Sequence, residues 1–177
     1  MPTFRRRVRR FVLVAAASIA VLVAVPAGAA APAAAIAPSK SAKMICSGEA
    51  QKDIAAALGG VRPTAVSTPT WTGDVYACSY LYTSGAVALS VKELGTKQAT
   101  SSYVAALARV LGRRADKLPL GQGAFWTTNG SVVVRKDTKV LLVDTSHLNA
   151  GLGVPAEKPS DAAANIAATI LGCWTGK

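Results

Sequence analysis

DVYACSYLYTSGAVALSVKEL, residues 74–94, reads as two β-strands joined by a tight turn. Successive side chains of an extended chain point to opposite sides, so Tyr76, Cys78, Tyr80 and Tyr82 share one face and Val75, Ala77 and Leu81 the other. Ser84 and Gly85 supply the turn, and Val87, Leu89 and Val91 then line one face of the returning strand. Apolar residues on both sides of the first strand imply that both of its faces are at least partly covered.

The flanks supply the covering elements. Upstream, CSGEAQKDIAAALGG (46–60) has Cys46, Ala50, Ile54 and Leu58 at every fourth position, Ser47 as an N-cap, Glu49 in the first turn and two glycines as a stop, which predicts a helix. Residues 61–73, with two prolines and many hydroxyl side chains, read as a loop. Downstream, TKQATSSYVAALARVLGRR (96–114) predicts an amphipathic helix. Its apolar stripe is Ala99, Tyr103, Ala106, Leu107, Val110 and Leu111, Arg109 and Arg113 stand on another face, and Gly112 ends it.

Three more strands follow: Phe125 to Thr128, Val132 to Arg135 after the Asn129-Gly130 turn, and Lys139 to Thr145, whose VLLV run lacks alternation and belongs in the sheet interior. SDAAANIAATILGCWTGK (160–177) closes the chain as a helix capped by Ser160, with Ile166, Ile170 and Trp174 in a stripe and Cys173 beside it. The order helix, two strands, helix, three strands, helix gives an α+β domain: a mostly antiparallel five-stranded sheet with three helices on one side or one end.

The N-terminus is a different kind of sequence. Arg5, Arg6, Arg7, Arg9 and Arg10 precede an apolar run from Phe11 to Val25, then Pro26 and small residues with A-x-A sites such as Ala27-Gly28-Ala29. This is the layout of a secretory signal peptide, assigned to residues 1–30, and the run is short for a bilayer span. Residues 31–43 continue in alanine and proline and read as a flexible tether, leaving 44–177 as a single domain. The chain carries +11 from 20 basic and 9 acidic residues; without the five signal arginines the excess is +6. Outside the cytoplasm such a domain meets wall polymers and lipid headgroups, not nucleic acid.

Few residues suggest chemistry. The three cysteines, Cys46, Cys78 and Cys173, include no C-x-x-C pair, and with one histidine they make a metal site unexpected. Export favours bridging two of the three, which leaves one odd. Asp144, Ser146 and His147 stand together on a strand, where alternation turns neighbours apart, so a triad is not expected there. The carboxylates are scattered singly. GQGAF at 121–125 precedes a strand and GLG at 151–153 a proline, neither being the helix start that a phosphate cradle needs. Tyr76, Tyr80 and Tyr82, with Trp126, are the candidate lining of an apolar cleft, against the alternative that they pack beneath a helix. Arg109 and Arg113 are candidates for an anionic surface.

The segments CSGEAQKDIAAALGG, YACSYLY and LPLGQGAFWTTNGSVVVRKDTKVLLVD together resemble small secreted proteins and lipoproteins of unknown function from actinobacteria. Those are similar in outline to the extracellular sensor domains of mycobacterial serine/threonine kinases. The resemblance implies an α+β sheet carrying helices, a cell-envelope location, a disulfide joining the first helix to the first strand, and a cleft for an unidentified ligand. Residue by residue it carries over only Cys46 and Cys78. Cys46 lies well beyond the apolar run and follows Ile45, so it is no lipid-attachment cysteine. Placing Cys173 near the buried side of the last helix agrees with Cys46–Cys78 as the bridge and Cys173 as a free, poorly ionising thiol. The expectation is therefore a secreted or envelope-bound, non-enzymatic domain without cofactor. It would bind a small apolar or envelope ligand or an envelope protein partner, the rivals being a hydrolase assembled from distant residues and a basic module adhering to anionic wall polymers or lipid headgroups.

Overall fold

A computed structural model describes residues 37–174, all within one compact unit. The expected signal segment, residues 31–36 of the expected tether and residues 175–177 lie outside the described residues. In chain order the elements are α1 (Lys40–Met44), α2 (Gly48–Ala57), β1 (Ala65–Val66), β2 (Thr70–Thr72), β3 (Val75–Tyr82), β4 (Gly85–Glu93), α3 (Lys97–Val110), β5 (Ala124–Trp126), β6 (Val132–Lys136), β7 (Lys139–Leu148) and α4 (Pro159–Trp174). The class is α+β, with one antiparallel sheet in the order β1-β3-β4-β7-β6-β5 and β2 also paired to β3.

Two counts differ from the sequence reading. The sheet has seven strands instead of five, because β1 and β2 form inside the stretch read as a loop. They are two and three residues long and edge a strand already paired on its other side, so they carry no alternating apolar pattern to betray them. Among the described residues there are four helices instead of three, because residues 40–43 of the expected tether are helical. Ser39 caps α1 through Ala42 N–H and bonds the Glu93 carboxylate with both its hydroxyl and its backbone N–H. Ala42 is fully buried, and the Trp174 indole N–H donates to the Ser41 carbonyl at 2.8 Å.

The β3–β4 hairpin forms, but it turns at Thr83-Ser84, one residue earlier than expected, with Gly85 already in β4; Tyr76 lies opposite Val91, Cys78 opposite Leu89 and Tyr80 opposite Val87. Pairing of Val91 with Leu141 and Leu89 with Val143, then of these with Val134 and Val132, continues the same buried face across β7 and β6. The VLLV strand is thus interior, as its lack of alternation requires. On this face α4 buries Ala162, Ala163, Ile166, Ala167, Ile170 and Leu171, and α2 packs on α4 through Ala50 and Ile54. Each buried isoleucine contributes about 2 to 3 kcal/mol of apolar transfer. The helix starts at Pro159, a residue that suits a first turn because it lacks an N–H; Ser160 therefore sits inside the helix instead of capping it.

The helices are not confined to one side. Phe125, Val133 and Val140 emerge on the opposite face, at the β5-β6-β7 end, and meet Tyr103, Val104, Leu107 and Leu111 from α3 and its C-cap. The face of α3 that packs is rotated from the expected stripe: Thr100 is fully buried while Val110 is 80% exposed. Thr100 can be buried because its hydroxyl donates to the Thr96 carbonyl at 2.8 Å, leaving only its methyl to pack. Gly112 ends the helix with φ +69, where a Cβ would strike the Thr128 side chain.

Candidate functional site

The disulfide joins Cys46, just ahead of α2, to Cys78 in β3, with Cα atoms 6.1 Å apart. It ties the N-terminal helices to β3, the strand next to the short edge strands β1 and β2. Cys173 is a free thiol on α4, half-buried, with its Sγ 3.4 Å from Asp53 Oδ2. Burial, the bond to Asp53 and the charges of Asp53 and Glu49 all raise its pKa above that of an ordinary thiol. That environment disfavours the thiolate on which nucleophilic or metal-binding chemistry depends. Among the described residues no three His, Cys, Asp or Glu side chains form a group able to hold a metal ion.

The aromatic candidates do not share one cleft. Tyr80 is 1% exposed and donates its hydroxyl to the Ile45 carbonyl at 2.7 Å, a packing position beneath the helical layer. Tyr82, 7% exposed, borders a depression of about 190 Å³ with Arg62, Thr64 and Leu152. Tyr76 is half-buried against the same core. Trp126 borders a separate depression of about 260 Å³ with Arg114, Asp116 and Ser160, and the Arg114 guanidinium lies 5.9 Å from its ring centre. Burial pushes the Tyr82 phenol up to about 12; burial, and next to it the neighbouring Tyr82, push Tyr80 up further.

The trio on β7 does not form a triad: Asp144 and Ser146 stay bonded to each other, and a bulge breaks the alternation before His147. Asp144 Oδ1 accepts from the Ser131 hydroxyl at 2.8 Å and from the Ser146 N–H at 2.9 Å. Among the described residues no hydrogen bond links the exposed His147 ring to a serine or a carboxylate. Burial opposes the Asp144 charge, but the bonds from Ser146 and Ser131 and the nearby His147 outweigh it and hold the carboxyl below its ordinary range.

The α3 side is different in kind. Residues 95–139, which build α3, the loop after it, β5, β6 and the β6–β7 turn, hold eight basic and two acidic residues, a net of +6. The remaining described residues hold six basic and seven acidic ones, a net of −1. All the excess charge of the described domain therefore sits in one segment at one end of the sheet. Within it a groove of about 240 Å³ runs between α3 and β5, bordered by Ser101, Val104, Ala108, Arg113, Phe125 and Arg135. Arg135 is held by two neutral acceptors, Nη1 donating to Ser101 Oγ at 2.7 Å and Nη2 to the Gln122 carbonyl at 2.9 Å. The Arg113 guanidinium stands 5.6 Å from the Phe125 ring centre, a cation–π distance. Among the described residues the ion pairs are Lys92–Asp74, Arg114–Asp116 and Lys139–Glu93, so neither groove arginine has a carboxylate partner.

No family model matches this chain, and no curated protein or solved structure matches it either. No helix among the described residues is long and apolar enough to cross a membrane. Of the groove residues, sequence reading reached Arg113 but not Arg135, Ser101 or Gln122, since they belong to three separate elements. A charge tally by segment instead of by chain would have found the region.

Proposed function

We propose that this chain is an exported, non-enzymatic binding domain whose α3 side docks on an anionic polymer of the cell envelope. The observation that carries the reading is the charge asymmetry: +6 in residues 95–139 against −1 over the other described residues. A region with a net excess of one sign of charge raises the local concentration of oppositely charged partners and orients their approach. A Cys46–Cys78 disulfide fits an oxidising compartment, where it persists. A polymer suits this surface better than a lipid bilayer, because among the described residues the large exposed apolar ones, Leu81 on β3, Val110 on α3 and Val154 in the loop before α4, stand singly. A membrane-docking face gathers such residues.

The test is retention of the purified protein on immobilised polyphosphate across a salt gradient. Arg109→Gln with Arg113→Gln and Lys117→Gln should move elution to much lower salt. Lys40→Gln with Lys52→Gln and Lys158→Gln, an equal change in net charge away from α3, should leave it nearly unmoved. Equal shifts from the two triple variants would mean that only overall charge matters. Retention that persists at 1 M salt, where the screening length is about 3 Å, would remove the electrostatic basis.

A further inference from the structure

Resting on that reading, we infer that the groove between α3 and β5 is a phosphate site, in which Arg113 and Arg135 together grip one phosphodiester of the bound polymer. Both arginines border the same groove, and among the described residues neither has a carboxylate partner. Each is instead positioned by neutral groups: Arg135 by the Ser101 hydroxyl and the Gln122 carbonyl, Arg113 by the Phe125 ring. Arg135 uses one N–H from each of its terminal nitrogens in those bonds, which leaves further donors on the planar fork. Arginines fixed in place by neutral partners lose little freedom when an anion arrives and keep their full charge for it.

A carboxylate holds its lone pairs in one plane, whereas the two charged oxygens of a phosphodiester sit on a tetrahedral centre and accept from donors that do not share a plane. Two arginines that border one groove from separate parts of the fold, the loop after α3 and β6, suit such an anion. The groove, at about 240 Å³, is larger than a phosphate group alone requires, so the flanking parts of a chain fit along it. Val104, Ala108 and Phe125 supply apolar contact for the carbon atoms between successive phosphates.

The experiment measures affinity of the purified protein for a soluble glycerol-phosphate polymer and for polyglutamate of matched charge, with vesicles containing phosphatidylglycerol as a lipid arm. Arg113→Lys combined with Arg135→Lys keeps the charge and removes the forks. The expected result is a loss of about tenfold or more toward the phosphate polymer, with little change toward polyglutamate. Arg113→Lys alone, at an exposed position where folding is not in question, should lose part of that affinity. Arg109→Lys should lose none. Undiminished phosphate binding by the double lysine variant would overturn the site while leaving the charged-face reading standing. Polyglutamate binding as tightly as the phosphate polymer would overturn the choice of phosphate, binding to vesicles alone would overturn the choice of a polymer, and absence of binding to all three would overturn both the site and the face.

Discussion

Removing the Cys46–Cys78 bridge is the sharpest perturbation of the fold. The bond closes a sequence separation of 32 residues, and restricting a loop of that length in the unfolded chain stabilises the native state by about 3 to 4 kcal/mol. Cys78 is 4% exposed in the layer between sheet and helices, so its truncation to alanine leaves a small void that adds to the loss, by about 1 kcal/mol. For a domain of this size that corresponds to a fall in Tm of roughly 10 to 20 °C. Urea titration followed by tryptophan fluorescence, with scanning calorimetry alongside, compares the oxidised protein with the Cys46→Ala, Cys78→Ala double variant. Cys173→Ala, which removes no bridge, is the control and should stay within about 1 kcal/mol of the parent. A double variant as stable as the control would refute the placement of the bridge between the helical layer and the sheet. Peptide mapping that found Cys173 in a disulfide would refute it independently.

Other consequences are narrower. Tyr80 and Tyr82 have folded-state pKa values raised above the ordinary 10.0, so folding favours the neutral phenols; the stability they contribute is present below pH 10 and is lost as pH climbs past it toward about 12. Absorbance at 295 nm should show two of the four tyrosines ionising only well above pH 10, and reversible ionisation of all four near pH 10 in the folded protein would contradict the burial of Tyr80 and Tyr82. Asp144 has the opposite sign: its lowered pKa gives stability above the ordinary carboxyl range that is lost as pH falls through the lowered value, so Asp144→Asn should flatten the acid limb of the stability curve. Trp174→Phe removes the bond to the Ser41 carbonyl and should lower stability by about 1 kcal/mol. Hydrogen exchange should then accelerate chiefly over residues 40–46; unchanged exchange there would mean that α1 is held without the indole.

Wherever burial follows a simple period, the sequence displays the structure. The hairpin of β3 and β4, the interior place of β7 and the cap at Ser47 all follow from alternation, apolar runs and hydroxyl capping acting over a few residues. The α3 stripe was misjudged at Thr100 and Val110, because a threonine that satisfies its own hydroxyl within the helix packs as an apolar residue. The short strands β1 and β2 and the helix α1 were hidden because tertiary pairing creates them, to β3 in one case and to Glu93 and Trp174 in the other. The tyrosines were visible as a face, but only the packed structure separates the core position of Tyr80 from the separate depressions beside Tyr82 and Trp126. The arginine groove draws on α3, the loop after it and β6, a convergence that spacing along one element does not reveal.

The claim that α3 is the docking side is most directly tested by backbone amide shifts recorded while a soluble phosphate polymer is added at low salt. Docking on the α3 side requires shifts concentrated in residues 97–123 and 132–139 that reverse when salt is raised. Shifts centred on α2, α4 or the surroundings of Tyr82, or spread evenly over the domain, would contradict it.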